Sequence, residues 1–119
     1  MRFFSGLTLL AALVLAPLAG AAEPEAPVGS AVQGKQLYMQ HTCFSCHGTV
    51  GQGGGAAGPK LAPDPFPYAA FAIQLRQPRD KMPRYPEKFV NDQQLADLQA
   101  YVASIPAGPK ADDISLLKR

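Results

Sequence analysis

The chain has 119 residues, 47% hydrophobic and 17% charged, with a formal net charge of +2 at pH 7, two cysteines and no tryptophan. This length accommodates one small domain and excludes a multidomain enzyme, and so slight a positive charge supplies no basic field for nucleic-acid binding. With 11 Gly and 12 Pro, a high share for a helical domain, much of the chain must be loop.

Residues 1–22 reduce the domain further. Arg2 is the sole charge before Glu23, Leu7 to Leu18 is a Leu/Ala-rich apolar core, and small residues follow at Ala19, Gly20, Ala21 and Ala22. That is the layout of a secretory signal peptide. Cleavage after residue 22 leaves 97 residues carrying 10 basic and 9 acidic side chains. Phe3 to Ala22 is also long enough to anchor the chain in a bilayer if uncut, although Pro17 and the small residues favour cleavage. A domain of this size buries a limited core and calls for a disulfide, a metal or a cofactor.

Residues 23–29, with Pro24 and Pro27, read as a flexible N-terminal segment. Over 30–41 the spacing predicts a helix: Ser30 caps it, and Gly34, Leu37, Tyr38 and His41 recur every three or four positions. Residues 48–65 are dense in Gly and Pro, have no period, and are too long for a simple connection, which points to a functional loop. Pro67 starts a second helix through Ala70, Phe71, Ile73, Gln74 and Leu75, and Pro78 stops it. Residues 79–90, with Pro83 and Pro86, form another loop. The clearest helix follows, with Asn91 as cap and Gln94 at the capping-box position. Its apolar face is Leu95, Leu98, Tyr101, Val102 and Ile105, and Pro106 ends it. The ordered domain therefore spans 30–106, with 107–119 as a flexible tail. Without an alternating strand pattern or a repeat, the fold class is all-α: three to four short helices and long loops.

Residues 43–47 read Cys43-Phe44-Ser45-Cys46-His47. C-x-x-C-H is the attachment sequence for c-type haem. Two thiols about one helical turn apart can each add to a vinyl group of one porphyrin, and the histidine after the second cysteine then lies under the iron. Covalent tethering also suits an exported protein, which would lose a merely bound cofactor to dilution. A Cys43–Cys46 redox disulfide needs a βαβ context that is absent here. Zinc on His41, Cys43, Cys46 and His47 would draw four ligands from seven residues, whereas structural zinc sites use two separated segments. The glycines of 51–58 lack the Gly-Lys-Ser/Thr ending of a phosphate loop.

The sixth position on such an iron separates electron transfer from ligand chemistry. Met39 and His41 precede the attachment site by only a few residues and share its side of the porphyrin. Met82 follows His47 by 35 residues, enough chain to wrap the ring and return on the far face. Met82 is the sixth-ligand candidate and His47 the fifth.

Gly34, Tyr38, Cys43–Gly48, Gly58-Pro59-Lys60-Leu61, Met82-Pro83 and the helix through Tyr101 together resemble class I (monohaem) cytochromes c, over roughly residues 30–106. The resemblance implies a small cytochrome c fold wrapped around one covalently bound haem c, attached through Cys43 and Cys46. It implies a close crossing of the first and last helices at Gly34 and Tyr101. It also implies that the Pro59 carbonyl accepts the His47 N–H, orienting the ring and raising its basicity. The segment Leu75–Tyr85 looks like that of small cytochromes serving bacterial periplasmic oxidoreductases.

The function so implied is a periplasmic one-electron carrier, not an enzyme, cycling Fe(III)/Fe(II) between a dehydrogenase or reductase and an oxidase or other acceptor. A tightly bound cytochrome subunit of a dehydrogenase complex is an alternative. A haem enzyme or gas-binding sensor with a displaceable sixth ligand is another. Within residues 76–88, Arg76, Arg79, Lys81, Arg84 and Lys88 outnumber Asp80 and Glu87. A basic rim can steer an acidic redox partner, although the same arginines could instead neutralise haem propionates. Two ionised propionates take the ferrous mature protein to about −1 overall, so any basic docking face is local.

Overall fold

The computed structural model describes residues 25–54 and 57–118; the segment read as a signal peptide lies outside them. Among the described residues four α-helices follow one another: α1 (Ala31–Gln40), α2 (Phe44–His47), α3 (Tyr68–Arg76) and α4 (Asp92–Ser104). Among the described residues there is no strand. The fold is all-α, with the main helix–helix contact between α1 and α4 and a smaller one between α3 and α4.

Local signals account for the helix ends. Ser30 is extended, and its hydroxyl accepts from the Gln33 N–H. Asn91 and Gln94 form a complete capping box: Asn91 Oδ1 accepts from the Gln94 N–H and Gln94 Oε1 accepts from the Asn91 N–H, both at 2.9 Å. Each bond satisfies a donor that the helix itself leaves unpaired. The short α2, which periodicity did not reveal, forms inside the C-x-x-C-H segment and ends at Gly48.

Gly34 decides how closely α1 and α4 approach. A Cβ there would overlap the Asp97 carbonyl and lie 2.8 Å from Tyr101 Cβ, so only a residue without a side chain lets the backbones meet. Around this crossing the core gathers Leu37 and Tyr38 from α1, Phe71 and Leu75 from α3, and Leu95, Leu98, Tyr101 and Val102 from α4. Burying each large side chain stabilises the fold by roughly 1.5–3 kcal/mol. The periodic positions of α1 and α4 lie inward as the spacing requires, and on α3 Phe71 and Leu75 do so while Ala70 and Ile73 are exposed. His41 and Ile105 instead become helix caps, half-buried rather than core.

Two core residues come from outside the periodic segments, Ala62 and the fully buried Val90. Asp97 is also buried, at 7% exposure. Its Oδ1 accepts from the Ser30 N–H at 2.7 Å and from Gln93 Nε2 at 3.1 Å, so the carboxylate is satisfied by donors. Gln93 also donates to the Val28 carbonyl. Helix α4 thereby holds the chain where it enters α1.

The tail carries more local structure than its composition suggests. Ala111–Asp113 and Ser115–Leu117 each form one 3-10 turn, neither with a buried residue. No helix among the described residues is long and apolar enough to cross a membrane.

Candidate functional site

Helix α2 puts both thiols and the histidine on a single turn. Cys43 and Cys46 are half-buried and free of any disulfide, while His47 is 8% exposed. Thr42, directly before them, has φ 54°, a left-handed conformation uncommon for a β-branched residue. Its carbonyl accepts from the Ser45 N–H and from the Ser45 hydroxyl, which fixes the turn from α1 into α2.

The glycine-rich loop lies flat against this turn. The Gly53 N–H donates to the His47 carbonyl at 2.8 Å. A Cβ on Gly58 would come within 2.8 Å of the Cys46 carbonyl and 3.1 Å of His47 Nδ1. Because Gly58 has no side chain, the next residue can turn its carbonyl inward: Pro59 O lies 2.9 Å from His47 Nδ1. With Nδ1 as the protonated nitrogen, that bond leaves Nε2 as the lone-pair donor.

The α1/α4 crossing is tied to the same place. Tyr38 and Tyr101 meet edge to face, ring centroids 5.3 Å apart. The Tyr38 hydroxyl donates to the Gly48 carbonyl at 2.7 Å and the Tyr101 hydroxyl to the Thr49 carbonyl at 3.2 Å. The core helices thus hold the two residues that follow His47. Burial pushes the Tyr38 hydroxyl up to about 12, with the neighbouring Cys43 and Tyr101 adding to it, so Tyr38 stays a hydrogen-bond donor.

Met82 lies in the loop after α3, half-buried against the core. The loop is fastened to the end of α3, whose last carbonyls would otherwise be unpaired. The Tyr85 N–H donates to the Leu75 carbonyl at 2.9 Å, and Arg84 Nε to the Arg76 carbonyl at 2.8 Å. Arg76 returns the grip: its guanidinium donates to the carbonyls of Tyr85 and Val90 and pairs with Asp92 at 2.9 Å. Arg76, expected as part of an exposed basic stretch, is therefore largely occupied in holding the Met82 loop. Arg79, Lys81, Arg84 and Lys88 remain exposed, together with Asp80 and Glu87.

The donor set fits a covalently held haem better than its rivals. A redox dithiol works through a lowered thiol pKa, whereas burial, with a smaller contribution from Cys46, pushes the Cys43 thiol up to about 11. For zinc, no three His, Cys, Asp or Glu side chains among the described residues gather as a metal-holding group. Two free thiols one turn apart, beside a buried imidazole with one nitrogen engaged, would suit thioether attachment of the haem with the other ring nitrogen free to bind its iron.

Sequence reasoning missed Gln74 and Arg76 as neighbours of the Met82 loop, and Asp97 as the anchor of α1. A basic side chain in the last turn of a helix is a known partner for terminal carbonyls, so Arg76 had a readable signal; the other two did not.

No curated protein and no solved structure matches the chain. Residues 29–102 match the family described as cytochrome C oxidase, cbb3-type, subunit III, a stretch that contains the attachment turn, the Gly58-Pro59 loop, Met82 and the α1/α4 crossing. The chain belongs to that family, as a c-type cytochrome domain carrying covalently bound haem c on Cys43 and Cys46.

Proposed function

We propose that this protein is a periplasmic one-electron carrier whose haem iron is ligated by His47 and Met82. The haem supplies reversible Fe(III)/Fe(II) exchange. His47 donates through Nε2 while Pro59 accepts at Nδ1, which keeps the ring oriented and more basic. The Met82 thioether, a soft donor, favours the reduced state and raises the potential. Held by both His47 and Met82, the iron would change oxidation state with little rearrangement and would leave no position for substrate. The observation that carries this reading is the buried His47 with Pro59 O at 2.9 Å, beside two free thiols.

The test is the oxidised and reduced absorption spectra of the purified protein and of Met82→Ala. A low-spin ferric spectrum with a weak thioether band, lost in the variant, supports the carrier. Unchanged iron ligation in Met82→Ala defeats the assignment. A high-spin wild type that binds CO or peroxide rapidly makes the protein a ligand-binding haem protein instead. Export is read from the N-terminus of the protein recovered from the periplasmic fraction, expected near residue 23.

A second reading, a cytochrome held permanently in a larger complex, is favoured by the family description, which names an oxidase subunit. The exposed cations Arg79, Lys81, Arg84 and Lys88 would serve a transient acidic partner in salt-sensitive encounters. Co-purification with an oxidase or dehydrogenase at high salt would favour the bound subunit; release would favour the shuttle.

A further inference from the structure

Gln74 is half-buried on α3, between Phe71 and Leu75, the two residues that seat this helix in the core. Among the described residues its side-chain amide donates to no backbone carbonyl. Gln74 Nε2 lies 3.6 Å from Met82 Sδ, within hydrogen-bond reach for the large sulfur atom. A thioether is a weak acceptor with no proton of its own, so in this contact the amide N–H donates and the sulfur accepts.

We propose that Gln74 is a positioning residue for Met82: its amide N–H donates to one lone pair of the sulfur and leaves the other available to bind the iron. The inference rests on Met82 being the sixth ligand. Methionine has three rotatable bonds and adapts its shape readily, so a thioether ligand on a loop needs something to select one orientation. The loop is held to the end of α3 by the Tyr85 N–H on the Leu75 carbonyl and the Arg84 side chain on the Arg76 carbonyl, bonds that keep Met82 beside α3 but leave its side-chain torsions free. Gln74 sits on the helix to which that loop is fastened and supplies the missing restraint from a rigid element. It also draws electron density from the sulfur, so the donor strength of Met82 depends on it.

The experiment compares haem-loaded wild type, Gln74→Leu, Gln74→Glu and Met82→Ala at neutral pH. Imidazole is titrated against the ferric iron as a competitor for the Met82 position, and the energy of the thioether band is recorded. Gln74→Glu keeps the side-chain length but has no N–H; Gln74→Leu removes the polar end and keeps the packing. Both are expected to bind imidazole about two- to fivefold more tightly than wild type, the factor for one weak hydrogen bond. Both are also expected to shift the thioether band while keeping it, a signature that simple loss of stability would not produce. Wild-type imidazole affinity and band position in both Gln74 variants overturn the proposal. If Met82→Ala itself leaves the ferric spectrum unchanged, the ligand assignment has failed and the role of Gln74 falls with it. A changed Met82→Ala beside unchanged Gln74 variants removes only the role of Gln74.

Discussion

Replacing Gly34 with alanine adds one methyl group at the point where α1 and α4 are closest. That methyl would overlap the Asp97 carbonyl and stand 2.8 Å from Tyr101 Cβ, against ordinary carbon–carbon separations of roughly 3.5–4.0 Å. The obstacle is backbone, which has no alternative rotamer, so the two helices must move apart. Overpacking costs about 1–3 kcal/mol, and this site belongs at about 3. Alanine's better helix propensity offsets about 1 kcal/mol, leaving a net loss of about 2 kcal/mol. For a domain of this size each kcal/mol lowers the melting temperature by roughly 4–8 °C, so Gly34→Ala should melt about 8–16 °C below wild type. The assay is a thermal melt followed by far-UV circular dichroism on the haem-loaded protein. Gly108→Ala, where an added Cβ meets nothing within 4 Å, is the control and should melt with wild type. A Gly34→Ala melt within about 4 °C of wild type, the range of neutral surface changes, would refute the close-approach argument.

Three other outcomes follow from the same contacts. Arg76→Lys keeps the charge but not the planar fork that spans Tyr85, Val90 and Asp92; it should lower stability by about 2 kcal/mol, and an unchanged urea midpoint would show that the fork is unnecessary. Gly58→Ala places a methyl 3.1 Å from His47 Nδ1 and should lift the Pro59 carbonyl away. A less basic imidazole stabilises Fe(III) less, so voltammetry should find the potential raised, by up to about 40 mV if the bond is worth about 1 kcal/mol; a potential equal to wild type contradicts this. Tyr38 has a hydroxyl raised to about 12 in the folded protein, so between about pH 10, the ordinary tyrosine value, and 12 the unfolded chain holds fewer protons. Its contribution is then fully present below about pH 10 and lost as pH rises through 12. Urea midpoints measured from pH 8 to 12 should fall less steeply for Tyr38→Phe than for wild type, and equal slopes would count against the linkage.

The helices were legible because their signals are local. Ser30, Pro67 and Asn91 each mark a start through groups only a few residues away, and Leu95, Leu98, Tyr101 and Val102 share a face by spacing alone. The site was partly legible for a different reason: two thiols and a histidine on one turn form a chemical unit regardless of the rest of the chain. Val90 could not be read as core, since it stands in a proline-rich loop and is buried only because that loop folds back onto α3. Asp97 reads as an ordinary surface acid on α4 until Ser30, 67 residues away in sequence, delivers its N–H.

By itself the sequence determined that this is a small, loop-rich, all-α domain with a haem attachment turn, since capping, periodicity and the C-x-x-C-H unit all act over a few residues. Only the tertiary structure decided which groups surround that turn. Pro59 O reaches His47 because Gly58 lets the loop lie flat, Tyr38 and Tyr101 reach the Gly48 and Thr49 carbonyls because Gly34 lets two helices touch, and Gln74 reaches Met82 because Arg76 and the α3 carbonyls hold the loop. Each of these contacts depends on how the chain returns to itself, which no short window of sequence encodes.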